Sequence, residues 1–163
     1  ILARNTYGCE EMIRSQGHVP SHKIRRLELV DCPAVVARNL DIREDGQVLL
    51  YERTYYGNGR PAIHAKSYIN HLRLPGIERV DFSSRSLSKL ITGEYGLTVT
   101  SNRCMLQAIS AEGEVSEALG VKPGFPLLSR NVVTVASNGV ETFPVEVSQL
   151  YYRTDTVPYI AQG

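Results

Sequence analysis

The order strand, short helix, hairpin occurs twice along this chain of 163 residues, and that repetition restricts the fold more than any other feature. VVARNLDI (Val35 to Ile42) set over EVSEALGV (Glu114 to Val121) brings Leu40 onto Leu119 at a shift of 79 residues. A shift of 80 puts Asn58-Gly59 on Asn138-Gly139, and 83 puts Pro61 on Pro144. Identity between the halves is slight, but the order persists with growing insertions. The clearest unit is QVLLYERTYYGNGRPAIHAKSYI (Gln47 to Ile69), two β-rich runs joined by Gly57-Asn58-Gly59, where Asn and Gly supply the positive φ of a tight turn. Hairpins joined by short helices predict an α+β domain: a pseudo-duplicated antiparallel sheet with small helices flanking it.

The remaining elements follow from local signals. GCEEMIRSQG (Gly8 to Gly17) has acids in its first turn, Arg14 in its last and a closing glycine, the charge order that suits a helix dipole. His22 to Asp31 reads as a strand, and Pro33 to Leu40 as a two-turn helix with proline at its first position. Ser83 to Gly96 reads as a capped helix. Then come the strand LTVTSNRCMLQAIS, the helix EVSEALG, the strand PLLSRNVVTVA, a turn at Ser137-Asn138-Gly139 and a final strand, FPVEVSQLYYRTD. Alternation puts Val145, Val147 and Tyr151 on one face of that strand and Glu146, Ser148, Leu150 and Tyr152 on the other. An acid and a phenol on one strand face, Glu146 and Tyr152, look either at water or at a ligand that needs both.

Composition narrows the function. At this length about two-thirds of the unfolded surface can be buried, enough for one real core. A formal charge of +1 draws the chain neither to a phosphate backbone nor to an anionic membrane. Cys9, Cys32 and Cys104 are odd in number and lack a CxxC spacing, which argues against a disulfide framework or zinc ribbon and favours a reducing cytoplasm. No apolar run approaches the roughly 20 residues of a membrane helix. His18 and His22 are four apart, but Pro20 between them prevents the helix that would align them on a metal. Neither metal nor other cofactor is expected. His64 is expected to be exposed, and Cys104 to be a small buried hydrophobe.

Five stretches in order, EEMIRSQGHVPS, ERTYYGNGRPAIHAKSYI, SLSKLITGEYG, EALGVKPGFPLLSRN and FPVEVSQLYYRTD, together resemble the UTRA effector-binding domain of bacterial GntR-type transcription regulators of the HutC subfamily, with its chorismate-lyase-like fold. The resemblance runs from about Cys9 to Tyr159. It implies that residues 1–163 are one effector-binding and dimerisation domain. A winged helix-turn-helix, to which nothing here is similar, would precede it in a longer protein. The chain opens at Ile1 rather than Met, in keeping with such a part.

In sugar-phosphate-sensing members, an Arg-x-Arg pair on the first hairpin strand and a serine opening the central helix hold an anion. A glutamate on the second hairpin strand, a tyrosine two residues after the serine and a terminal tyrosine hold the rest. The resemblance thus assigns Arg53, Ser86 and Tyr152 to the ligand, with Thr6 and Tyr7 in a loop that adds donors. The chain departs at Tyr55 for the second arginine, Ala65 for the hairpin glutamate and Ser88 for the helix tyrosine. Losing a guanidinium removes a bidentate fork, so a carboxylate or small anion held by one arginine replaces a phosphosugar as the expected ligand.

Each candidate has an alternative. Arg53 shares a face with Leu49, Tyr51 and Tyr55, and its partner is either a ligand anion or Glu146 in an internal ion pair; Glu146 in turn either touches ligand or orients Arg53. Ser86 either caps its helix or binds an anion there. Tyr55 and Tyr152 either line a pocket or pack. The expected function is a cytoplasmic sensor with no catalytic step: a homodimer that takes a small anionic metabolite and reaches DNA only through its N-terminal domain. A chorismate-lyase-like enzyme and a ligand-free dimerisation domain are the alternatives. No nucleophile-base pair or phosphate loop supports the enzyme.

Overall fold

A computed structural model describes residues 8–161 of the chain. Its elements in chain order are α1 (Cys9–Ser15), β1 (Pro20–Asp31), α2 (Ala34–Leu40), β2 (Gln47–Gly57), β3 (Arg60–Ile69), a 3₁₀ turn (Ile77–Arg79), α3 (Leu87–Thr92), β4 (Thr98–Ser110), α4 (Gly113–Leu119), β5 (Pro126–Ser137) and β6 (Thr142–Tyr152). The six strands form one antiparallel sheet in the order β1-β2-β3-β6-β5-β4. Helix, strand, helix and hairpin therefore occur twice, and the halves join where the second strand of one hairpin pairs with the second strand of the other. This is the duplicated α+β sheet expected from the sequence.

Two helices cover each face. Met12 and Ile13 of α1 pack with Ala65, Val132, Leu150 and Tyr152, while Leu87, Leu90 and Ile91 of α3 pack with Leu49, Tyr51 and Phe82 on the same side. On the reverse, α2 of the first half lies against Val147 of the second, and α4 of the second packs near β3 of the first. Each half thus buries its rear helix on the other half's central strand, so the halves are one core. A fully buried leucine or isoleucine stabilises by about 1.5–3 kcal/mol, and Ile13, Leu40, Ile63, Ile69 and Leu119 are all inaccessible to within 1%.

The β2–β3 turn is the type I′ hairpin that Asn-Gly demands, with Asn58 at φ 51° and Gly59 at φ 76°. Pro33 precedes the first turn of α2 instead of occupying it. Three further expectations fail. Val145 and Val147 do not share a face: a bulge in the β5–β6 ladder turns Val145 into the α3-side core while Val147 faces α2. His64 is wholly buried, because alternation set it opposite Arg53's face but left unsaid that α4 covers that face. Cys104 is exposed, since β4 is an edge strand and among the described residues no helix lies over its middle.

Candidate functional site

Between α1 and α3 the sheet floors a cleft of about 1010 Å³. Register turns the floor into a grid of cross-strand rows. One row runs Tyr55, Ile63, Tyr152, Leu128; the next Arg53, Ala65, Leu150, Arg130; the next Tyr51, Ser67, Ser148, Val132; the last Leu49, Ile69, Glu146, Thr134. Side chains from β2, β5 and β6 reach the cleft, joined by His22 of β1 and Asn102 of β4. The walls are Cys9 to Met12 on one side and Ser83 to Leu90 on the other.

Arg53 is 6% exposed and held by neutral groups. Its Nε–H donates to the Tyr55 hydroxyl at 3.1 Å, and Nη1 donates to the Tyr51 carbonyl at 3.1 Å and to Ser67 Oγ at 2.6 Å. The guanidinium stacks 4.3 Å from the Tyr51 ring centroid. Ser67 passes its own proton to Glu146 Oε1 at 2.6 Å. The internal pair between Arg53 and Glu146 is therefore a relay through Ser67, not a direct bridge. The Tyr55 phenol thereby orients the Arg53 guanidinium. Burial pushes the Tyr55 phenol well above its ordinary pKa against the pull of Arg53, so it stays protonated.

Tyr152 is 1% exposed, edge-on to Tyr159 at 5.3 Å, and burial likewise raises its pKa. It is both core and cleft lining. Ser86 and Ser88 open α3 with exposed side chains that contact each other at 3.0 Å. Ser86 makes no side-chain cap, so its hydroxyl is not consumed by the helix. Ala65 is fully buried opposite Arg53 and lies beneath the lining. Thr6 and Tyr7 lie outside the described residues. The structure thus brings Arg53, Tyr55, Ser86, Ser88, Glu146 and Tyr152 to one cleft.

Sequence reasoning missed Ser67, Cys9 and Arg130. Cys9 faces both arginines; burial pushes its thiol up to about 11 although both cations pull it down. Arg130 carried the same signal as Arg53, an arginine between apolar neighbours, Leu128 and Val132, on a strand face. Among the described residues no cluster of three or more His, Cys, Asp or Glu is placed to hold a metal, and no helix is long and apolar enough to cross a membrane.

The fold and cleft define a duplicated α+β domain built around one inter-helical cavity. The chain belongs to the UTRA domain family, which it matches over residues 15–158. The HTH-type transcriptional regulator YurK of Bacillus subtilis (strain 168) is 22% identical over 159 residues, which are 98% of this chain and 64% of YurK. The chain thus spans somewhat less than two-thirds of that relative. Among solved structures, PhnF from Mycobacterium smegmatis superposes with a TM-score of 0.84 at 18% identity, covering 96% of this chain and 68% of PhnF. The ligand-binding domain of a protein assigned to the GntR family of transcriptional regulators, from Bordetella bronchiseptica, gives 0.75 at 25% identity, covering 88% and 89%. YurK is described as a transcriptional regulator, and the Bordetella chain as the ligand-binding domain of one.

Proposed function

We propose that this domain is the effector-binding half of a cytoplasmic GntR-type regulator of the HutC subfamily, and that its cleft takes a small anionic metabolite. The carrying observation is Arg53: a guanidinium 6% exposed, lining the cleft, with no carboxylate within salt-bridge distance among the described residues. Residues 1–7 and 162–163 contain no Asp or Glu that would supply one. A buried charge without a counter-ion is costly, and an anion in the cleft offsets that cost. The hydroxyls of Ser86 and Ser88 add donors on the facing wall, and Glu146 accepts from a hydroxyl or ammonium.

The regulator acts as a homodimer in this proposal. Thr100 to Ala108 of edge strand β4 are all exposed, with Met105 at 52% and Leu106 at 46%, and an antiparallel pairing of two β4 strands is self-complementary about a two-fold axis. Effector binding bridges α1 and α3 and shifts the relative placement of the DNA-binding domains by its differential affinity for the two arrangements. A thermal-shift screen of the domain against carboxylates, phosphonates and phosphorylated sugars tests the effector role. A saturable rise in melting temperature that disappears in Arg53→Ala supports it, and a flat response across the panel removes it.

A further inference from the structure

Besides the exposed Arg14, Arg85 and Lys89 on its walls, the cleft has a second guanidinium on its floor. Arg130 on β5 lies in the same cross-strand row as Arg53, one strand outside the β3–β6 junction just as Arg53 is, with Ala65 and Leu150 between them. Three inter-strand spacings separate their backbones, about 14 Å. Arg53 leans inward over β3 to reach Ser67, which brings its guanidinium nearer to Arg130 than the backbones are. Arg130 is half-buried; its Nε–H donates to Cys104 Sγ at 3.3 Å, and it lies beside Tyr152 and 5.9 Å from the Tyr159 ring centroid.

Of the other charged groups around the two arginines, Arg14 and Lys89 are exposed on the walls, and the acids have other hydrogen-bond partners or lie on the rim. Of the acids lining the cleft, Glu94 pairs with Arg85, Glu10 with His22 at 2.6 Å, and Glu146 accepts from Ser67, while Glu11 is exposed on the rim. Among the described residues neither Arg53 nor Arg130 has a carboxylate partner. The row between them is apolar at its centre, Ala65 being fully buried and Leu150 6% exposed. Two unpaired cations at the ends of an apolar row match a molecule with a negative group at each end and an uncharged middle.

We infer that the effector is a dianion, of the linear dicarboxylate type, lying across the strands over Leu150 with one carboxylate on Arg53 and the other on Arg130. This rests on the effector-binding role proposed above and assigns the ligand's charge pattern. Tyr55, which replaces a second guanidinium beside Arg53, leaves one cation at that end, and Arg130 supplies the other from the opposite half of the sheet. Tyr152 lies beside Arg130, and Tyr55 accepts from Arg53.

The test is calorimetric titration of the domain with linear dicarboxylates from succinate to suberate, each against the monocarboxylate of equal chain length. One dicarboxylate length is expected to bind about ten-fold or more tighter than its monocarboxylate, the gain of a second charge-assisted contact. In Arg130→Gln that preference collapses to near unity with monocarboxylate binding retained, and Arg130→Lys, which keeps the charge, restores part of it. A role of Arg130 in folding alone would lower both affinities together and leave their ratio intact, which overturns the inference. Equal binding of both series to the unaltered domain, with loss in Arg53→Ala, also overturns it while leaving the sensor role standing. If neither series binds, the dicarboxylate assignment fails, and the phosphonate and phosphosugar arms of the thermal-shift screen decide the sensor role separately.

Discussion

Replacing Arg53 by alanine separates a binding role from a structural one, because the structure lets each effect be sized. The side chain makes three hydrogen bonds, to Tyr55, the Tyr51 carbonyl and Ser67, and stacks on Tyr51. Those acceptors are neutral, and the two hydroxyls keep other options: Ser67 still donates to Glu146, and the Tyr55 phenol lines the open cleft. Removing the cation also relieves the cost of holding it without a carboxylate. The net stability loss should therefore be about 1–2 kcal/mol, well below the 3–5 kcal/mol of breaking a buried ion pair. For a domain of this size that is a fall of about 2–8 °C in melting temperature. Anion affinity, by contrast, loses a charge-assisted contact worth about 1.5–3 kcal/mol, or roughly ten- to hundred-fold in Kd. Differential scanning calorimetry and titration on the same preparation measure both. An unfolded variant, or a folded one that binds the anion as well as the parent, refutes the reasoning.

Three further outcomes follow from particular contacts. His64 is fully buried, with Nε2 3.0 Å from Glu52 and Nδ1 2.9 Å from Thr54, and burial lowers its pKa despite the adjacent carboxylate. The unfolded chain then binds the extra proton first, so stability is full above the ordinary histidine pKa of about 6.5 and falls as pH drops below it, by at most about 1.4 kcal/mol per pH unit; denaturant titrations should show this slope flattened in His64→Gln. At the β4 edge, Leu106→Lys should convert the dimer proposed above to monomer in light scattering without changing the circular dichroism spectrum, since that side chain is 46% exposed. Gly59 sits at φ 76° with open space around it, so Gly59→Ala costs only backbone strain, about 1 kcal/mol, read as a fall of a few degrees in melting temperature.

Much of this was legible in the chain because the signals were local. Asn58-Gly59 dictated a hairpin by its dihedral preferences, and acids before Arg14 placed α1. Alternation along β6 identified Glu146, Ser148, Leu150 and Tyr152 as one face, and all four line the cleft. The repeat of strand, short helix and hairpin predicted a duplicated sheet. Local periodicity also marked Arg53 as an arginine out of place among apolar neighbours.

What alternation cannot say is which face a distant element covers. His64 and Cys104 were misjudged on that account: α4 packs over the face of β3 that carries His64, and among the described residues no helix covers the middle of β4. Nor does any local signal align strands from opposite halves. The row that joins Arg53 to Arg130 exists because Ala65 pairs with Leu150 across the β3–β6 junction, and that register holds because both faces of the central strands are buried, where a slip of one residue would turn every core side chain outward. The residues of the cleft were determined by the sequence, while their assembly into a sheet floor with two cations was decided by the tertiary pairing of its two halves.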